Sequence, residues 1–227
     1  MNAMKKKVEA QKWKVGDVFT IEFAPEEYAY GRILLDIYNQ RKKGLIDGHS
    51  YIDLGFTTII LVELYKPSSS DQPFDINKEE ILVSSLFTDS ANIELNNWKI
   101  VDNVKVVPEK IDFPEFLSLN GAFEGKFIKG EIAHVIEITH EEVEKMHFYS
   151  KSIAPNLISK FILHALGRFE ELQDVPPAKM HLIDMKHQDL RFSEHRERIL
   201  SLLPDEFKKP YFELSKEKGF DLSRFYE

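Results

Sequence analysis

The sequence predicts an α+β fold in which an N-terminal antiparallel β-sheet, twisted or barrel-like, is followed by C-terminal helices. Up to residue 138, apolar residues alternate with polar ones or form short β-branched runs, and from Thr139 onward the spacing is helical. Strands that come first and helices that follow are typical of an α+β fold. We expect a β-rich core over residues 1–138. A helical part over residues 139–227 is expected to pack on it as one composite domain.

The first two strands are predicted to form a hairpin. Residues 18–23 alternate between apolar and polar side chains, as in a half-buried strand. Residues 24–27 contain Pro25 and break the pattern, and residues 28–38 resume it. A period of two places Tyr28, Tyr30 and Arg32 on one face of the second strand and Ile33 and Leu35 on the other.

Further strands are predicted over residues 55–64, 80–87 and 98–107, and over one alternating run at 126–138. In that last run Ile132, His134, Ile136 and Ile138 face one way, and Glu131 and Glu137 face the other. His134 is therefore interpreted as a structural histidine. Residues 39–50 and 66–71 are predicted loops because they are rich in charge, glycine and serine.

Three or four helices are predicted after residue 138. Thr139 and Glu142 fit a capping box, which indicates a helix of about ten residues. Pro155 suits a first turn, and apolar residues at helical spacing continue from there to Gly167, which indicates a second helix. Beyond Pro176-Pro177 one or two further helices are predicted, and residues 194–203, ending at Pro204, are the best candidate.

Composition excludes several classes of site and partner. The chain of 227 residues has no cysteine, which excludes disulfides, thiolate zinc sites and cysteine nucleophiles. Net charge is −8, and five of the 30 basic residues lie in the first fourteen positions, so the remainder is more acidic still. Such a protein repels phosphate backbones, so we expect no nucleic acid partner. Without an apolar signal region or membrane-length run, we expect a cytoplasmic protein with no membrane contact.

Sequence motifs for catalysis or cofactor binding do not occur. There is no Gly-x-Ser-x-Gly elbow, no phosphate-binding glycine loop and no dinucleotide fingerprint, so we predict neither catalytic residues nor a cofactor. His181, His187 and His195 form a loose cluster with Asp184, but no two have the four-residue spacing of metal ligands on a helix. A metal site is not expected.

One strand face carries residues that favour protein binding. Tyr28, Tyr30 and Arg32 belong to the types enriched at interface hot spots, because tyrosine and arginine combine a large area with a polar end. The acidic residues Glu26 and Glu27 lie beside them in the turn. We predict this face as the partner-binding site; the alternative interpretation is the ordinary outer face of an antiparallel strand.

Two segments resemble a known family. Residues 14–21, KVGDVFTI, and 28–34, YAYGRIL, are similar to the opening of the immunity protein family twenty-six of bacterial polymorphic toxin systems, with its Gly-Asp-x-Phe strand and its aromatic-x-x-Gly-Arg strand. Leu86-Phe87 and the later WKIV at Trp98 also match that pattern. The resemblance spans about residues 13–102. Where the family continues into a glycine, this chain has Asp102-Asn103, which we predict to form the same turn because both residues tolerate left-handed backbone.

The resemblance implies a non-enzymatic protein, encoded beside a secreted toxin, that binds that toxin in the producing cell and blocks it by occlusion. If the toxin is a basic nuclease, the acidic body would accelerate association. Two alternatives remain at this point. One is an SH3-like-barrel endoribonuclease toxin that uses Arg32 in a basic groove, and the other is a metal-dependent hydrolase that uses the C-terminal histidines.

Overall fold

The structure is a computed structural model that describes residues 10–47, 50–52, 58–67, 74–119, 124–146 and 152–227. The strands in these ranges are β1 Asp17–Ala24, β2 Glu27–Asp36, β3 Ile59–Tyr65, β4 Ile81–Asp89, β5 Lys99–Asn103, β6 Glu115–Leu119, β7 Gly125–Lys129 and β8 Ile132–Ile136. The helices are α1 Ile37–Lys42, α2 Ala91–Glu94, α3 His140–Lys145, α4 Ile158–Ala165, α5 Met185–Gln188, α6 Arg196–Leu200 and α7 Tyr211–Glu217. Short 3₁₀ turns connect the C-terminal helices.

The strands form two antiparallel sheets. The larger has the order β4-β3-β2-β1-β5, and the smaller has the order β6-β7-β8. The predicted α+β class, with antiparallel strands first and helices afterward, is confirmed. The β1–β2 hairpin is also confirmed, with its turn at Pro25-Glu26. None of the helices in the described part of the chain combines the length and the apolar run that crossing a membrane requires.

Three strand predictions need correction. The run at 126–138 is two strands, β7 and β8, because Gly130 adopts a positive φ and turns the chain back. Glu131 lies in that turn and is buried against Arg224, so the prediction that it shares one strand face with Glu137 is wrong. The sequence pattern also missed β6, whose short run follows Pro114. The predicted strand at 55–64 is observed as β3, although its residues 55–57 lie outside the described ranges.

The predicted helices at 139, 155–167 and 194–203 are observed, the last as α6, whereas the start of one predicted loop is helical and residues 68–71 of the other lie outside the described ranges. The Thr139 capping box is present, with the Glu142 amide donating to Thr139 Oγ1 at 3.2 Å, but α3 has six residues and not ten. The helix predicted between Pro155 and Gly167 is observed as a 3₁₀ turn that continues into α4. Residues 39–42, predicted as a loop, belong to α1. Asp36 caps that helix by accepting from the Asn39 amide at 3.0 Å.

Phe19 packs against Gly31, the glycine of the YAYGRIL segment, and against Trp98. Phe19 is paired across the strands with Gly31, and its ring lies where a Cβ on Gly31 would be, 2.5 Å from Phe19 Cζ. The other partner of the ring is Trp98, which stacks on it with centroids 5.2 Å apart. The residues of the sequence motifs that carry the family resemblance therefore pack together in the core of the large sheet.

The Gly16-Asp17 turn connects the start of β1 to its neighbours β2 and β5 by hydrogen bonds. Gly16 has a φ of +90°, and its amide donates to the Ile33 carbonyl at 2.9 Å. The Asp17 carboxylate accepts from the Lys14 amide at 2.8 Å and from Asn103 Nδ2 at 2.7 Å. The prediction that Asp102-Asn103 forms a left-handed turn is wrong, because both residues lie in β5 and have negative φ.

A β-bulge in β2 changes which side of the large sheet its residues face, so residues before and after the bulge pack into two different hydrophobic cores. The register with β3 shifts between Ile33 and Leu35, so Ile33 packs in one core and Leu35 in the other. A strict period of two cannot hold across an inserted residue, so the predicted shared face of Ile33 and Leu35 is wrong. Helix α4 covers one face of the large sheet, and the small sheet with the C-terminal helices covers part of the other.

A buried charge network joins the two sheets to the C-terminal part. The Arg191 guanidinium donates to Asp189 Oδ2 from Nε at 2.8 Å and from Nη2 at 2.6 Å, and it reaches Asp112 Oδ2 at 3.1 Å. Its Nη2 also donates to the Ser85 carbonyl of β4 at 2.7 Å. Burial is the largest single effect and lowers the pKa of Arg191, but the charges of Asp189 and Asp112 and their hydrogen bonds together outweigh it, so the pKa is raised.

The network continues into the small sheet through Glu115. Arg196 donates to both carboxylate oxygens of Glu115, at 2.9 and 3.1 Å. Lys129 Nζ lies 3.3 Å from Glu115 and 3.3 Å from Asp112. The network thus contains three cations and three carboxylates, whose charges balance, and most of these groups are shielded from water. The cations are Arg191, Arg196 and Lys129, and the carboxylates are Asp112, Glu115 and Asp189.

We expect Gly31→Ala to destabilise the protein by about 1–3 kcal/mol, because the added Cβ overlaps the Phe19 ring. Urea unfolding measures the change. In the double variant with Phe19→Leu the overlap is relieved, so the loss should be smaller than the sum of the two single losses. Additive losses would contradict the close contact.

We expect Arg191→Met to destabilise the protein by roughly 3–5 kcal/mol, because Asp189 is left buried without its partner. Arg198→Met is the matched control: its side chain is 55% exposed and lies 3.9 Å from Glu142, so its loss should stay within about 1 kcal/mol. Equal losses in the two variants would show that the network contributes no more than a surface pair.

Candidate protein-binding surface

The large sheet presents one partly uncovered face, which we call the outer face. It consists of side chains on three adjacent strands: Thr20, Glu22, Tyr28, Tyr30, Arg32 and Lys99. Strand pairing brings them together, since Glu22 lies opposite Tyr28, Thr20 lies opposite both Tyr30 and Lys99, and Arg32 lies opposite Glu63. The period of two in β2 thus places the three predicted residues on one face, as the sequence indicated.

Exposure decreases along the outer face from Tyr28 to Arg32. Tyr28 is 48% exposed, beside the hairpin turn. Tyr30 is half-buried and packs on Phe74, with ring centroids 4.9 Å apart. Phe74 in turn meets the edge of Tyr65 at 5.2 Å. The outer face therefore carries aromatic side chains that are followed, at its deep end, by the largely buried Arg32.

Arg32 is held by Glu63 at the deep end of the outer face. Its Nε lies 2.5 Å from Glu63 Oε1, and the Tyr65 hydroxyl donates to the same oxygen. Burial, together with the charge of Glu63, raises the pKa of Tyr65, so its hydroxyl keeps its proton. Arg32 is therefore fixed in position and only 12% of its side chain is exposed.

Glu26 and Glu27 occupy different surroundings. Glu26 lies in the hairpin turn with a φ of +62° and is exposed next to Tyr28. Glu27 accepts from both Nη atoms of Arg168, at 2.6 and 2.9 Å, and that hydrogen bonding lowers its pKa. Arg168 also lies over the Phe23 ring on the covered face. The Glu26 side chain is therefore accessible to a partner, whereas the Glu27 carboxylate is already paired with Arg168 of the C-terminal part.

A cavity of about 330 Å³ opens beside Arg32. It lies between residues 76–81 and 104–111, and Glu63 and Tyr65 form its floor with Arg32. The sequence analysis missed this site. A signal was available, because Glu63 interrupts the apolar run IILVELY of β3, and a carboxylate in a buried strand requires a cationic partner.

The histidines of the sequence analysis have separate partners. His134 packs on Phe207, with centroids 5.0 Å apart, which agrees with its interpretation as structural. His187 lies 3.6 Å from Asp184, and His195 lies 3.8 Å from Glu194. Across the described ranges, no three His, Asp or Glu side chains are grouped in a way that could hold a metal ion.

Comparison with known proteins gives one finding. A family model described as Immunity protein 26 matches residues 14–127, half of the chain. Neither curated proteins nor solved structures give a match. The matched range contains the whole large sheet, and the resemblance predicted from residues 13–102 is confirmed. By this match over residues 14–127, which includes the Phe19, Gly31 and Trp98 unit, the chain belongs to the Immunity protein 26 family.

Proposed function

We propose that this protein is an immunity protein that binds a cognate toxin of a bacterial polymorphic toxin system in the cytoplasm of the producing cell. It neutralises the toxin by covering it and not by catalysis. The observation that carries this proposal is the family match over a sheet whose outer face is partly uncovered.

The family match favours the outer face as the toxin-binding surface. A function that the family shares should lie within residues 14–127, which include the large sheet. Helix α4 lies outside that range and covers the opposite face of this sheet. The outer face is thus the broad sheet surface on which matched residues remain available to a partner.

The chemistry of the outer face suits protein binding. Tyr28 supplies a large side chain with few rotatable bonds, so little conformational entropy is lost when a partner covers it. Glu22 and Glu26 place negative charge beside it. From residue 15 onward the chain has 37 acidic and 25 basic residues, which would steer a basic toxin toward it. The toxin we propose is therefore a basic protein, such as a nuclease.

The direct experiment is co-expression with the toxin gene next to this gene. We expect the protein to restore growth and to co-purify with the toxin in a complex that buries on the order of 1,600 Å². Growth arrest despite equal expression, with no co-purification, would overturn the proposal. Growth arrest by this protein alone, with cleaved RNA, would instead support the endoribonuclease alternative.

We expect Tyr28→Ala to weaken toxin binding by about 30-fold, which corresponds to about 2 kcal/mol for the loss of a hot-spot side chain. Isothermal titration calorimetry measures the affinity, and the melting temperature should not change because the ring is half exposed. Phe169→Ala is the matched control, since Phe169 is a 56% exposed ring outside the family match. An equal effect of both substitutions would place the interface elsewhere.

We expect Thr20→Arg to weaken binding by 100-fold or more. Thr20 lies between Tyr30 and Lys99 at the centre of the outer face, so an arginine there adds both bulk and a charge that repels a basic toxin. Val135→Arg makes the same change on β8, where Val135 is 45% exposed, and should leave binding unchanged. Wild-type affinity of the Thr20→Arg protein would show that the toxin does not bind to the outer face.

A further inference from the structure

The cavity beside Arg32 has the construction of a ligand site. Its volume of about 330 Å³ lies within the range of small-molecule sites, roughly 300–1,000 Å³. Leu34, Ile81 and Val107 contribute apolar walls, and Arg32, Glu63 and Tyr65 contribute polar groups. Apolar walls with a few convergent polar groups are the usual composition of a site that binds a small organic group.

The floor of the cavity presents a fixed guanidinium. Arg32 Nε is shielded from solvent and forms an ion pair with Glu63 that lacks hydrogen-bond geometry, and the Tyr65 hydroxyl donates to the same Glu63 oxygen. Within the described ranges, no hydrogen bond occupies Arg32 Nη1 or Nη2, and both atoms keep solvent contact. Because the ion pair with Glu63 and the burial of the side chain restrict the guanidinium, the two Nη groups are positioned before any ligand arrives. A preorganised guanidinium edge binds two acceptor oxygens in one plane.

The charges around the cavity favour a ligand with one negative charge. Glu63 balances the charge of Arg32. The remaining charged residues of the lining are one acid, Glu79, and two bases, Lys105 and Lys110, so the lining carries a small net positive charge. A dianionic phosphate would meet the two carboxylates of the lining at short range, whereas a carboxylate brings a single charge. The planar carboxylate also matches the geometry of the guanidinium.

We propose that this cavity is a binding site for a carboxylate group carried on a small apolar body, with its two oxygens on Nη1 and Nη2 of Arg32. The carboxylate belongs either to a free organic acid or to a side chain of the bound toxin. Both sources use the same chemistry at Arg32. The site goes beyond the toxin-blocking function and does not depend on it.

Benzoate is the probe for this site. Titration of the full chain, followed by amide chemical shifts in NMR, should show saturable shifts for residues of β2, β3 and 104–111. Benzamide, which has the same ring without the charge, should bind at least tenfold more weakly, and so should phenyl phosphate at a pH where it is a dianion. Equal binding of benzamide, or tighter binding of phenyl phosphate, would overturn the proposal.

Two variants test the role of the guanidinium and of the cavity. Arg32→Lys keeps a cation beside Glu63 but loses the planar pair of donors, and it should weaken benzoate binding at least tenfold. Val107→Trp fills the cavity from an exposed position without touching the Arg32–Glu63 pair, so it tests the site even if Arg32→Lys does not fold. Arg198→Lys is the control on an exposed arginine. Wild-type benzoate affinity in Val107→Trp would overturn the proposal.

Repeating the titration with the cognate toxin bound distinguishes the two sources. Loss of the benzoate shifts on toxin binding assigns the carboxylate to the toxin, and unchanged benzoate binding assigns it to a free acid. Failure of the toxin to bind would overturn the proposed function and leave the benzoate titration of the free protein as the test of the cavity. No saturable benzoate shifts in the free protein would overturn the carboxylate site.

Discussion

The buried charge network around Arg191 is the interaction on which the rest of the structure depends. The Arg191 guanidinium contacts β4 of the large sheet, Asp112 in the segment before β6, and Asp189 in the helical part of the chain. Because each charge is costly to bury alone, the elements that carry them must assemble together. The network therefore sets how the small sheet and the C-terminal helices lie against the large sheet.

That arrangement determines which surface is left for function. Helix α4 covers one face of the large sheet, and the small sheet covers the other face only beyond the bulge in β2. Tyr28, Tyr30 and Arg32, which precede the bulge, remain on a face that the described residues cover only in part. The same strand thus provides an exposed aromatic end and a deep cationic end. Toxin binding and carboxylate binding are proposed for these two ends of one surface.

Much of the local structure could be predicted from the sequence, because it depends on neighbouring residues. Alternation located the β1–β2 hairpin, and the Thr139 capping box and the apolar spacing before Gly167 located two helices. Predictions failed where one residue changed the geometry of a whole segment. Gly130 divided one predicted strand into two, and the bulge beyond Ile33 reversed the faces that follow. Asp36 started a helix within a charged segment that resembled a loop.

The sequence by itself determined the fold class, the family and the face shared by Tyr28, Tyr30 and Arg32, because these follow from short-range patterns and motifs. Only the tertiary structure decided what each of these residues contacts. Arg32 pairs with Glu63 of the neighbouring strand, and Glu27 pairs with Arg168, which lies just after α4 ends. Such pairs join residues 31 and 141 positions apart, and their choice depends on how the sheets and helices pack. A one-dimensional pattern contains no information on that packing.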